Sequence, residues 1–100
     1  MDIIYALISN RSHILADCIQ EGHRGNFRDV ASRILNGMNF KTEHEQIRKL
    51  TYTNQKYSFH MVVKEGVAIM CMTKVETGRR LPFDFLDQLS SLKLTECWRE

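Results

Sequence analysis

The sequence predicts an α+β fold in which a five-stranded antiparallel sheet lies between helices, an αβα sandwich. Three observations carry that expectation. Short aliphatic and β-branched runs and helix-period runs follow one another in the order strand, strand, helix, three strands, helix. Turn chemistry separates them at the right places. Finally, the last two strands are apolar on both faces, so one helix cannot cover the sheet and a second must lie on the opposite side.

Each element has its own reason. Ile3 to Ile8 is an aliphatic run, Ser9-Asn10-Arg11-Ser12 is turn chemistry, and His13 to Ile19 is a second apolar segment, so the chain opens with a hairpin. Neither strand alternates strictly, which predicts burial on two faces. The stretch from Gly22 to Gly25 ends the second strand, and Asn26 is placed to cap a helix. Phe27, Val30, Ile34 and Leu35 then recur at helical spacing until Asn36-Gly37 stops it. Lys41 to Gln46 is a polar loop leading into a three-stranded meander.

Two turns fix the meander's registers. A two-residue turn at Glu65-Gly66 places His60 opposite Cys71, Val62 opposite Ile69, Phe59 opposite Met72 and Met61 opposite Met70. The same arithmetic at Asn54-Gln55 places Tyr52 opposite Tyr57 and Leu50 opposite Phe59, on the face shared with Met61 and Met70. The second helix has Pro82 in its first turn and Phe85, Leu86, Leu89 and Leu92 along one face. Two hairpin units joined by a helical crossover leave strands two and three as the sheet edges, with strand one beside strand five.

Composition narrows the function. One hundred residues, 43% of them apolar, bound a single domain spanning 1–100. The net charge of +2 spreads 14 Lys and Arg among 12 Asp and Glu, so no basic stripe exists for nucleic acid. The longest apolar runs, such as Val67 to Met72, fall far short of the roughly 20 residues of a membrane helix, and the first residues lack the basic region followed by an apolar block that a signal peptide would show. Three widely spaced cysteines, Cys18, Cys71 and Cys97, suit neither a disulfide framework nor a thiolate metal site, and a soluble chain in a reducing compartment is expected.

No catalytic constellation is complete. His60 and Cys71 are predicted cross-strand neighbours, but no orienting group or oxyanion donor accompanies them, so they read as core residues beneath a helix. The Gly22-His23-Arg24-Gly25 loop precedes a helix as a phosphate cradle would, yet lacks the Lys and hydroxyl of one and reads as a turning loop. His44-Glu45 begins a zinc-protease motif in which Arg48 replaces the second histidine, so no metal and no cofactor are expected. Arg79-Arg80 reads as a solvated turn, with acidic lipid or a partner's carboxylates as the alternative contact. Cys97 to Glu100 occupies the position of a prenylation box without its aliphatic residues.

Leu50 and Tyr52 stand apart, because bulky apolar side chains on an edge strand need a cover. Either the first helix covers them or a partner does.

The segments IIYALISNRSHILAD, GNFRDVASRIL, KLTYTNQKYSFHMVV and GRRLPFDFL, taken in order, resemble the longin domain, the regulatory head of R-SNARE proteins of the vesicle-associated membrane protein type found on endosomes and lysosomes. The resemblance covers residues 3 to about 89. It implies a profilin-like longin fold with the first helix on one sheet face, and no catalysis. Family members carry a third helix, which is missing or diverged in the tail 90–100. The resemblance further implies a groove between helix 1 and strand 3, here Ile34, Leu35, Met38, Leu50 and Tyr52, that accepts a SNARE motif, the protein's own or another's, or a trafficking adaptor peptide. It implies action on the cytoplasmic face of endomembrane vesicles of the endosome, lysosome, vacuole or Golgi, with membrane attachment only through segments absent from this chain. Two other readings fit the architecture: a small-ligand sensor of the PAS or profilin-like kind, marked by a closed apolar cavity, and a longin-like subunit of a coat or tethering complex, marked by obligate assembly.

Overall fold

A computed structural model describes residues 3–11, 13–23, 25–37 and 47–91. The strands are β1 (Ile3–Ser9), β2 (Ile14–Ile19), β3 (Arg48–Asn54), β4 (Tyr57–Lys64) and β5 (Val67–Lys74). The helices are α1 (Phe27–Asn36) between β2 and β3, and α2 (Arg80–Ser91) after β5, preceded by a short 3₁₀ turn over Val75–Thr77. The five strands form one antiparallel sheet in the order β2-β1-β5-β4-β3, so β2 and β3 are its edges and β5 its centre.

The β4–β5 hairpin has the register that its turn dictates, with His60 opposite Cys71, Val62 opposite Ile69, Phe59 opposite Met72 and Met61 opposite Met70. Glu65 and Gly66 take φ of 52° and 79°, the left-handed signs that a two-residue type I′ turn needs. The β3–β4 register differs from the sequence expectation by two residues: Tyr52 lies opposite Phe59 and Leu50 opposite Met61. Asn54 stays in the strand, paired with Tyr57, and the turn is Gln55-Lys56, with Gln55 taking the positive φ. A shift of two preserves the side-chain face, so Leu50 and Tyr52 still share theirs with Met61 and Met70.

Each face of the sheet carries a separate core. Under α1 lie Tyr5, Leu7, Phe59, Met61, Met70 and Met72, closed from above by Ala31 and Leu35. Phe27 sets the start of α1, its ring 6.2 Å from Tyr5 and 6.1 Å from Tyr57 between centroids. Asn26 is the N-cap residue but makes no side-chain capping bond, so the aromatic contacts place this end of the helix. Under α2 lie Ile3, Val62, Ile69 and Cys71, with Leu86 inserted among them and Phe83, Phe85 and Leu89 around it. Pro82 sits buried in the first turn of α2.

β2 departs from the predicted two-sided burial. Its Asp17, Cys18 and Ile19 are exposed and the rest half-buried, because the helices cover the middle of the sheet and leave this edge to solvent. The expected loop over Lys41 to Gln46 and the tail beyond Ser91 lie outside the described residues.

Candidate functional site

The α1–β3 side of the sheet carries an open groove of about 410 Å³, lined by Arg33, Ile34 and Gly37 from α1 and its end, Leu50, Thr51 and Tyr52 from β3, and Met61 from β4. Its construction follows from periodicity. Ala31 and Leu35 point down into the core, which turns Ile34 sideways, half-buried, toward β3. Leu50 and its cross-strand partner Met61 supply the floor. Tyr52, two residues along the same face, stands 55% exposed at the open end. Thr51 alternates to the other face, where its hydroxyl lies 3.0 Å from Nδ1 of His60. Among the described residues β3 has a strand neighbour on one side only, so the groove borders an edge of the sheet.

Of the residues expected there, Ile34, Leu50 and Tyr52 converge on the groove. Leu35 is 6% exposed and belongs to the core beneath α1, offering a partner almost no surface. Met38 lies outside the described residues. The choice between helix and partner as the cover of β3 resolves unequally: α1 shields much of Leu50 and little of Tyr52. Arg33, Gly37, Thr51 and Met61 line the groove in addition to the expected residues. Met61 was legible from the shared face, whereas Arg33 and Gly37 depend on how α1 is rotated about its axis, which spacing alone does not fix.

Beneath α2, His60 and Cys71 are fully buried. Thr51 and Thr73 place hydroxyls 3.0 and 3.4 Å from the two ring nitrogens of His60, so either tautomer is satisfied. Phe83 meets the imidazole edge-on at 5.4 Å. Burial, reinforced by the positive charge of Arg79, lowers the His60 pKa and so favours the neutral ring. Burial pushes the Cys71 thiol up to about 12, and its sulfur lies 3.8 Å from the Pro82 carbonyl, a poor setting for a thiolate nucleophile. This pair has the bonding of a satisfied core. Arg79 is also placed: its guanidinium carbon lies 5.3 Å from the Phe83 ring centroid, with Lys49 Nζ at 5.9 Å.

Among the described residues no group of three or more His, Cys, Asp or Glu could hold a metal ion, and no helix is long and apolar enough to cross a membrane. The GHRG loop has Gly22 at φ 89° and Gly25 at φ 155°, and a side chain at Gly25 would press on the Phe27 ring at 3.1 Å. Those glycines turn the chain and let Phe27 dock. His44, Glu45 and Cys97 to Glu100 lie outside the described residues.

A five-stranded antiparallel sheet with a crossover helix on one face, a C-terminal helix on the other and a groove along the third strand defines a longin-type α+β domain. The family profile of the regulated-SNARE-like longin domain matches residues 15–92, and the chain belongs to that family. Among curated relatives it is 35% identical over 91 residues to vesicle-associated membrane protein 7B of Dictyostelium discoideum, an alignment spanning 91% of this chain and 32% of that protein. It is 32% identical over 89 residues to vesicle-associated membrane protein 7 of Homo sapiens, spanning 89% of this chain and 37% of that one. Vesicle-associated membrane protein 714 of Arabidopsis thaliana is 29% identical over 89 residues, spanning 89% and 38%. The chain thus covers about a third of the length of these relatives.

Proposed function

We propose that this domain is a non-catalytic regulatory and sorting module of vesicle trafficking, which receives a SNARE motif, its own or another protein's, or an adaptor segment in the α1–β3 groove. Family membership supports the trafficking role. One observation carries the choice of site: apolar side chains from α1, β3 and β4 converge beside a sheet edge that has no outer strand neighbour among the described residues, and Tyr52 remains more than half exposed. A docking segment gains twice there, by burying the side chains of Ile34, Leu50 and Tyr52 and by pairing with the outward backbone groups of β3 between Lys49 and Asn54. Arg33 on the rim adds a cation for an acidic residue of that segment. In this reading the domain acts on the cytoplasmic face of endomembrane vesicles; the longer relatives are named vesicle-associated membrane proteins. The open groove favours this reading over a sensor, which would enclose its ligand.

Titration of SNARE-motif and adaptor peptides, run beside thermal unfolding, is the test. Tyr52→Ala should weaken binding by about tenfold or more while costing within about 0.5 kcal/mol of stability, since the ring is mostly outside the fold. Leu50→Ser, half-buried, should cost about 1–2 kcal/mol and reduce affinity further. A double variant that binds as well as the parent would remove the groove from consideration, as would one that fails to fold.

A further inference from the structure

On the other flank of α1, away from β3, the helix and the β1–β2 turn enclose a second crevice of about 320 Å³. Arg28, Ser32 and Asn36 recur at intervals of four, so they form one polar stripe of α1 beside the buried stripe of Ala31 and Leu35. That stripe borders the crevice, with Ser32 half-buried and Arg28 and Asn36 exposed, and Arg11 and His13 are among the residues lining it from the turn. The turn is braced: Ser9 Oγ lies 2.9 and 3.0 Å from the carbonyls of Asn10 and His13, and the His13 amide donates to Asn10 Oδ1 at 2.9 Å.

Both charged side chains that line this crevice among the described residues, Arg11 and Arg28, are cations, and no carboxylate among the described residues lines it. Arg28 Nη1 lies 3.5 Å from both carboxylate oxygens of Asp17, whose Oδ2 also accepts a 2.7 Å hydrogen bond from the Tyr5 hydroxyl, and the Arg28 side chain is 60% exposed, so its other N–H groups can meet a further acceptor. Arg11 has no ion pair among the described residues, and its Nε lies beside the β4–β5 turn at Gly66, which carries one residue of each sign, Lys64 and Glu65. Two arginines therefore line one concave site together with the hydroxyls of Ser9 and Ser32, the amides of Asn10 and Asn36 and the His13 imidazole, in a volume larger than a single phosphate requires. Guanidinium forks match phosphate oxygens, while Ser and Asn can both donate to and accept from hydroxyl groups.

We propose that the crevice between the β1–β2 turn and α1 binds a phosphorylated polyol of inositol phosphate size, with Arg11 and Arg28 on the phosphates and Ser32 and Asn36 on the ring hydroxyls. The chemistry is common to a soluble inositol phosphate and to the head group of a phosphoinositide lipid, and the site is separate from the α1–β3 groove, so the two stand or fall independently.

The whole chain is titrated with inositol bisphosphate and, separately, with inorganic phosphate by calorimetry and amide chemical shifts. It is then mixed with phosphatidylcholine vesicles with and without phosphatidylinositol bisphosphate. Saturable binding is expected, with shifts at Ser32 and Asn36, and Arg11→Ala and Arg28→Ala should each weaken it by about tenfold. Lys74→Ala, on the exposed end of β5, should leave it unchanged. Arg11 lies in an exposed turn, so its variant keeps the test valid even if Arg28→Ala loosens α1. Binding to doped vesicles as well as to the soluble compound assigns the lipid as source, and binding to the soluble compound alone assigns the free phosphate. The proposal is overturned by absence of saturable binding at millimolar concentration, by binding indifferent to Arg11→Ala, by equal affinity for inorganic phosphate, or by tighter binding of a phosphopeptide.

Discussion

His60 places both ring nitrogens against threonine hydroxyls from the two strands that flank its own, and Phe83 closes it from above. Such a side chain contributes by being neutral and satisfied, so its loss is felt in stability. His60→Ala should cost about 1–3 kcal/mol, because two hydroxyls lose a buried partner and a hole opens under α2. Cys71→Ser should cost a similar amount by placing a hydroxyl in an apolar site. Both variants should still bind peptides in the folded fraction, a result checked by unfolding and titration together. Acid acts on the same residue. Because the folded pKa lies below the ordinary 6.5, the unfolded chain takes up a proton that folded His60 refuses. Its share of stability is complete above about pH 6.5 and is lost as pH falls from there toward the lowered value. Melting temperature followed from about pH 7.5 to 5.5 should fall in the parent and fall less in His60→Gln. Identical slopes would show that the ring is not the group titrating. Thiol chemistry separates the two described cysteines: in a Cys97→Ser background, a maleimide should label exposed Cys18 in the native state and reach buried Cys71 only on unfolding.

At the scale of elements, α1 owes its seat to a small residue. Ala31 has no exposed surface and meets the sheet where a longer side chain would lift the helix. Ala31→Leu should therefore destabilise by about 1–3 kcal/mol through overpacking and widen the groove, with the same substitution at exposed Arg33 costing almost nothing, as denaturant titration of both would show. The elements themselves were legible because hydrophobic period and turn chemistry agree along most of the chain. Glu65-Gly66 is the clearest case, since glycine accepts the left-handed φ and fixes the whole β4–β5 register. At Gln55-Lys56 no glycine marks the turn, and Asn54, a favoured turn residue, drew the expected register away from the observed one. Strand faces survive such an error because it was an even number. Helix rotation has no comparable protection: Leu35 and Ile34 are adjacent in sequence, and only tertiary packing decides which one is core and which one lines the groove. The Tyr5–Asp17–Arg28 contact was equally invisible, since it joins a strand, its partner and a helix across 23 residues of chain.

Across the whole molecule, the sheet has a firm centre and two soft edges of different character. β5 pairs with both β1 and β4 and is buried along six consecutive residues, so its amides should open only with global unfolding. β2 and β3 each have one strand neighbour and more exposed side chains, and their outward amides should exchange fastest among the strands. The two edges part ways when a segment docks. An occupant of the α1–β3 groove that extends the sheet should slow exchange along β3 and on the flank of α1 nearest it, leaving β2 unchanged, because the groove and the β2 edge lie at opposite ends of the five strands. A phosphorylated polyol in the crevice beside the β1–β2 turn should give the reverse pattern, with changes at Asn10, Arg11 and His13 and none along β3. Hydrogen exchange with each ligand alone and then with both would separate the two sites. If a bound SNARE-motif peptide slows β2 and leaves β3 exchanging freely, the docking edge is the wrong one. Tyr52 would then be an exposed aromatic without an occupant.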